Sequence, residues 1–134
     1  MICQAASKIQ KTKSLLLSCL FCLLLNACSS ASSDFNFDSD TWKKDLNGCQ
    51  GLRQKQQGKI EEIRLDLVGL KEYKIRQLLG KPDLEELLER SQKIYIYFIA
   101  PGPKCQTGAA AKKVAFTVRM DALGTVREAN LLEE

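Results

Sequence analysis

The stretch Leu70-Lys71-Glu72-Tyr73-Lys74-Ile75-Arg76-Gln77-Leu78-Leu79-Gly80-Lys81-Pro82, followed after residues 83–92 by Lys93-Ile94-Tyr95-Ile96-Tyr97-Phe98-Ile99, changes its hydrophobic period partway. In its first part Ile75, Leu78 and Leu79 recur at helical spacing on one face. Gly80 suits the left-handed position just past a helix, and Pro82 prevents the helix from resuming. A helix over Leu70–Leu79 is therefore expected. The second part alternates, with Ile94, Ile96 and Phe98 on one face and Tyr95, Tyr97 and Ile99 on the other, which is strand chemistry.

Downstream, Ala100-Pro101-Gly102-Pro103 ends that strand, and a loop through Cys105 and Gly108 leads to a second alternating run. There Val114, Phe116, Val118 and Met120 face one way, while Ala115, Thr117 and Arg119 face the other. Asp121 to Gly124 has the composition of a hairpin turn, and Thr125 to Leu132 completes a third strand. Between helix and first strand, Asp83 to Arg90 reads as a short turn of helix capped by Asp83. Its Glu85, Glu86 and Glu89 are better explained by i,i+4 ion pairs, Glu86 with Arg90 and Glu89 with Lys93, than by a catalytic carboxylate pair.

Upstream, apolar residues at 42, 46, 49, 60, 63 and 67 define one helical face, with Arg53 and Gln56 filling the gaps. Asp40 or Thr41 is placed to cap it, and Gly48, Gly51 and Gly58 each weaken its middle by about 1 kcal/mol relative to Ala. The expected class is α+β, with two N-terminal helices packed on a three-stranded antiparallel meander (ααβββ) over residues 41–134. If the helices cover Ile94, Ile96, Phe98, Val114, Phe116 and Val118, then Tyr95, Tyr97, Thr117 and Arg119 lie on the open face. Tyr95, Tyr97 and Arg119 are then candidate partner-binding residues; an ordinary cross-strand aromatic pair is the competing account of the two tyrosines.

Residues 1–27 carry Lys8, Lys11 and Lys13 and no acid, followed by Leu15–Leu25, apolar except for Ser18. This has the form of an export signal, too short to cross a bilayer core that needs roughly 20 apolar residues. Leu25-Asn26-Ala27-Cys28 resembles the lipobox of bacterial lipoproteins. That resemblance implies a diacylglyceryl group on Cys28, cleavage after Ala27, and acylation of the freed amine; simple secretory cleavage nearby is the alternative. Residues 28–40, rich in Ser and Asp, read as a tether, in which Phe35 and Phe37 either dock on the domain or bilayer or are incidental.

The cysteines follow from this division. Cys3, Cys19 and Cys22 leave with the signal and Cys28 takes lipid, so Cys49 and Cys105 remain, and an exported pair in an oxidising compartment is expected to bridge. Charge changes too: removing three lysines from 20 basic residues leaves 17 against 16 acidic ones, formally +1, with no electrostatic footprint for nucleic acid. Histidine is absent, which removes the usual general base and the commonest transition-metal ligand. Nothing in the chain assembles a nucleophile with a base, a metal cage or a phosphate-binding loop, so neither catalysis nor a cofactor is expected.

Val68-Gly69-Leu70 followed by Ile75, then Leu79-Gly80-Lys81-Pro82, a Tyr-x-Tyr strand, and a Phe-containing strand with Asp121 and Gly124 before Val126, together resemble the SmpA/OmlA (BamE-like) small outer-membrane lipoproteins. The resemblance spans about Val68 to Leu132 and implies two helices followed by a three-stranded meander. It implies no catalytic residues, and an accessory role in β-barrel insertion or envelope integrity through binding of partner lipoproteins and anionic lipid. Lys71 stands where the family usually has a capping Thr, the first helix is longer, and the Cys49/Cys105 pair is not a family hallmark. Only architecture and a scaffold role therefore carry over.

The expected protein is thus a lipid-anchored envelope lipoprotein, monomeric within a complex, binding the membrane through its lipid and another envelope protein through its domain. Ser29 in place of an inner-membrane retention Asp points to the outer membrane, with the periplasmic face as the expected side. The alternative function is a lipid-anchored inhibitor or ligand-binding module directed at a secreted or envelope enzyme.

Overall fold

A computed structural model describes residues 35–134. The segments expected as export signal and tether, up to residue 34, and the expected lipid site at Cys28 lie outside the described residues. The class is α+β, but the sheet has four strands rather than three, and the helical part is divided more finely than two helices.

The segment expected as one long helix is a chain of short pieces: α1 (Ser39–Lys44), a 3-10 turn (Leu46–Gly48), α2 (Leu52–Lys55), α3 (Gln57–Ile63) and a second 3-10 turn (Arg64–Leu67). Asn47, Gly48 and Gly51 all take positive φ (59°, 68° and 73°), and a helix cannot continue through left-handed residues. Gly58, by contrast, is absorbed within α3. The N-cap is neither Asp40 nor Thr41. It is Asp38, whose carboxylate accepts the Thr41 N–H at 3.1 Å. The fold extends upstream of this cap: Phe37 is buried and packs against Trp42 with ring centroids 5.5 Å apart, while Phe35 leans on the same cluster.

Helix α4 (Glu72–Leu79) ends where the sequence says it should, at Gly80 with φ 76° and a buried Pro82 two residues on. Its buried face is Ile75, Leu78 and Leu79. The next segment departs from the expectation. Leu84–Leu87 is a strand, β1, paired antiparallel with β2 (Lys93–Phe98) from Leu84↔Ile96 to Leu87↔Lys93. The residues LEELLER favour helix intrinsically, but the pairing is a tertiary gain that outweighs tenths of a kcal/mol of propensity per residue. A tight turn with positive φ at Arg90 and Ser91 closes this hairpin. Other ion pairs replace the i,i+4 pairs expected there: Glu85 meets Arg76 at 3.5 Å, and Lys93 meets Glu72 at 2.9 Å.

β3 (Val114–Met120) and β4 (Val126–Glu133) complete a sheet in the order β1-β2-β3-β4. Asp121 and Gly124 close the turn between them, with the Gly124 N–H on Asp121 O at 3.0 Å. The β2/β3 register pairs Tyr95 with Val118 and Tyr97 with Phe116, so odd residues of β2 share a face with even residues of β3. Directly paired residues project to the same side of a sheet. The helix-covered face is therefore Tyr95, Tyr97 and Ile99 with Val114, Phe116, Val118 and Met120, against Trp42, Ile60, Leu67, Ile75 and Leu79 from the helices. The expected faces hold for β3 and are reversed for β2.

Candidate functional site

That reversal relocates two of the three candidate binding residues. Tyr95 and Tyr97 are fully buried under the helices, whereas Arg119 projects from the opposite face, so the structure does not bring the three together. Tyr97 stands beside Trp42 and Arg53, and its hydroxyl donates to Gly80 O at 2.9 Å. Burial raises its pKa well above the ordinary tyrosine value.

Tyr95 reaches the rim of the core. Its hydroxyl donates a short hydrogen bond to Glu72 and accepts from Arg76 Nε at 3.0 Å and Nη2 at 2.7 Å. Glu72 also accepts from Lys93 Nζ at 2.9 Å. Burial, reinforced by the Glu72 hydrogen bond, pushes the Tyr95 hydroxyl up to about 12, while the hydrogen bonds from Tyr95 and Lys93 hold Glu72 below its usual range. Beside this network an open groove of about 370 Å³ is lined by Lys71, Glu72, Tyr73, Arg76, Leu123 and Gly124. Tyr73 and Leu123 stand exposed at its rim. Along it Glu72 meets Arg76 at 3.5 Å, and the Lys71 ammonium donates to the Thr125 hydroxyl at 2.6 Å.

The uncovered face of the sheet carries different residues from those expected. Rows run Glu86–Ile94–Arg119–Glu128 and Leu84–Ile96–Thr117–Asn130, and Leu132 lies beside Ala115. Ile94 and Ile96 are half-buried, and Leu84 and Leu132 are exposed. Arg119 is held by Glu128 at 2.7 Å and by Gln92 at 3.0 Å. Phe98 also belongs to this face but is covered: a Cβ on Gly102 would lie 2.7 Å from its ring, so the loop after β2 closes over it. The result is an aliphatic strip with a fixed guanidinium at one end.

One polar constellation lies outside the sequence expectations. Arg53 is 1% exposed and donates to Asp83 Oδ2 at 2.6 Å, Phe98 O at 3.1 Å and Trp42 O at 3.1 Å, with its guanidinium over the Trp42 ring at 5.0 Å. Asp83 accepts in turn from the Asn47 and Phe98 N–H groups, and buried Asp45 accepts from those of Gln50 and Arg53. These groups tie the helical segment to β2 and the start of β1, and they have no opening to a ligand. The signal was an Arg within an apolar helical stripe, a position where a charge persists only with a buried partner. Nearby, Cys49 and Cys105 form a disulfide that pins the loop between β2 and β3 to the turn after α1.

Among the described residues no group of three or more His, Cys, Asp or Glu could hold a metal ion, and no helix is long and apolar enough to cross a membrane. Comparison with protein-family models, with curated proteins and with solved structures finds no match to this chain.

Proposed function

We propose that this chain is a bacterial envelope lipoprotein, anchored through lipid on Cys28 at the periplasmic face of the outer membrane, which acts without catalysis by binding another envelope protein. Its role in that reading is accessory or scaffolding, in outer-membrane β-barrel assembly or envelope integrity. The observation that carries the reading is the uncovered sheet face. Leu84, Ile94 and Ile96 leave an aliphatic strip across β1 and β2 on one side of a four-stranded sheet, next to Thr117 and Arg119, with Leu132 exposed beyond β3. Such a strip, rimmed by polar groups, is the composition of a protein contact. The anchor supports it: two or three acyl chains, at about 0.8 kcal/mol per buried CH₂, hold a small domain at a membrane surface. Partners in that plane then need only modest intrinsic affinity.

The test is photo-crosslinking in cells from a benzoylphenylalanine at Thr117, in the full lipoprotein, with the adduct identified by mass spectrometry. Adducts with barrel-assembly subunits or other envelope scaffolds are expected. A single secreted hydrolase would support the inhibitor reading instead, and absence of any adduct at Thr117 would overturn the sheet face as the contact. Cys28→Ala tests the anchor: membrane fractionation and lipid labelling should both be lost.

A further inference from the structure

We propose that the free edge of β1 is a docking strand that accepts an extended, basic and apolar segment of a partner protein. This rests on the reading of the chain as a binder of envelope proteins, and adds the mode of binding and the chemistry of the bound segment.

The two edges of the sheet are not alike. At β4 the outer edge begins covered: the Gly69 N–H donates to Val126 O and the Val126 N–H to Leu70 O, both at 2.9 Å, and Lys71 bridges Thr125. Among the described residues β1 pairs with β2 alone, and all four of its residues are exposed. The Leu88 N–H turns inward to Gln92 O at 2.7 Å. Alternation along an antiparallel strand then directs the N–H and C=O groups of Glu85 and Leu87 outward. Those groups are a template for a further strand.

The side chains state what that strand should carry. Leu87 is 79% exposed and Leu88 39%, and Leu84 continues the uncovered aliphatic strip to the edge. Glu85, Glu128 and Glu133, the other carboxylates within the strands ahead of the final residue, are each engaged by Arg76, Arg119 or Lys112. Among the described residues Glu86 meets no such cation, and neither does Glu89 in the adjoining turn. An incoming strand with apolar residues beside Leu84 and Leu87 and a Lys or Arg beside Glu86 would complete both patterns. A second copy of this chain would not. Two-fold antiparallel pairing centred at residue 85, 86 or 87 places Glu85 against Glu85, Glu86 against Glu86, or Glu85 against Glu89, and like charges directly opposite are destabilising.

The experiment uses the full lipoprotein in cells, with benzoylphenylalanine at Leu88 in one strain and at Thr117 in another. The Leu88 probe should capture a partner peptide that maps to an extended segment able to set apolar residues beside Leu84 and Leu87 and a Lys or Arg beside Glu86. Leu87→Pro, which removes one outward N–H while leaving the β2 side of the strand intact, should lower that yield about tenfold, the effect of one net hydrogen bond. Leu87→Ala controls for the side chain and should keep more of the yield. Glu86→Lys, which leaves the backbone untouched, should lower it at least threefold and keeps the proposal falsifiable if the proline variant fails to fold. A Leu88 adduct on an acidic or helical segment, or one indifferent to both variants, overturns the docking strand. Adducts at Thr117 with none at Leu88 overturn it while the envelope-binding reading survives, and none at either position sinks both.

Discussion

Arg53 meets Asp83 at 2.6 Å with 1% and 2% of the two side chains exposed, joining a helical segment to the entry of β1 across a sequence separation of 30. Removing either partner leaves the other charge buried without compensation, the situation that costs about 3–5 kcal/mol. Arg53→Met and Asp83→Leu should each lower the urea midpoint sharply. The double variant should recover a substantial part of that loss, because two apolar side chains leave no unpaired charge. Urea titration of the three variants checks this; a double variant no better than the worse single one would refute it.

Gly48 and Gly51 predict contrasting outcomes. A Cβ at Gly48 would lie 2.8–2.9 Å from the carbonyl oxygens of Phe98, Ile99 and Ala100, and the residue has φ 68°. At Gly51, with φ 73°, a Cβ meets nothing within 4 Å. Gly51→Ala should cost about 1 kcal/mol, the left-handed penalty alone, whereas Gly48→Ala should cost at least about 2–3 kcal/mol. Equal losses in chemical denaturation would show that the contact with β2 is not tight.

The disulfide between Cys49 and Cys105 closes a separation of 56 residues. In the chain-entropy treatment this stabilises by about 4 kcal/mol, a large share of a small domain's stability. Native protein should take up no alkylating agent until reduced and then gain two labels. Reduced protein, or the double Cys→Ser variant, should melt well below the oxidised form. Two thiols reacting without reductant would refute the bridge.

The buried tyrosines predict an alkaline limit. Tyr95 is raised to about 12 in the folded protein, and burial also raises Tyr97, against an ordinary value of 10.0. The folded state thus holds phenolic protons that the unfolded state releases first. The resulting stability is fully present below pH 10 and is lost as pH rises through 10 toward 12. Tyr97→Phe should flatten that decline in urea midpoints measured from about pH 9 to about 11.5; an unchanged slope would contradict the assignment. On the acid side Glu72 is held low, so its contribution is present above pH 4.5 and fades below it.

How much of this was legible depended on how local each feature is. The end of α4 at Gly80 and Pro82, the hairpin at Asp121–Gly124 and the strand character of Lys93–Phe98 and Val114–Met120 are written in neighbouring residues, and the structure keeps them. β1 was hidden because Leu84–Leu87 favours helix by itself and becomes a strand only beside β2. The side of the sheet on which Tyr95 and Tyr97 lie escapes the sequence for a related reason. β2 is apolar on both faces, so alternation groups Tyr95 with Tyr97 without saying which side the helices cover. Only the β2/β3 register, set across the loop that Cys105 pins, puts Tyr95 opposite Val118.

The sequence by itself determined the α+β class, the strand character of β2 and β3, the end of α4 at Gly80, and a chain without histidine. Tertiary structure alone decided that the tyrosines belong to the core, that Ile94 and Ile96 belong to the surface, and that Arg53 is buried on Asp83. Period and punctuation act within a few residues. Pairing parity, edge strands and buried ion pairs are energies between segments distant in the chain, and they exist only once the chain has closed on itself.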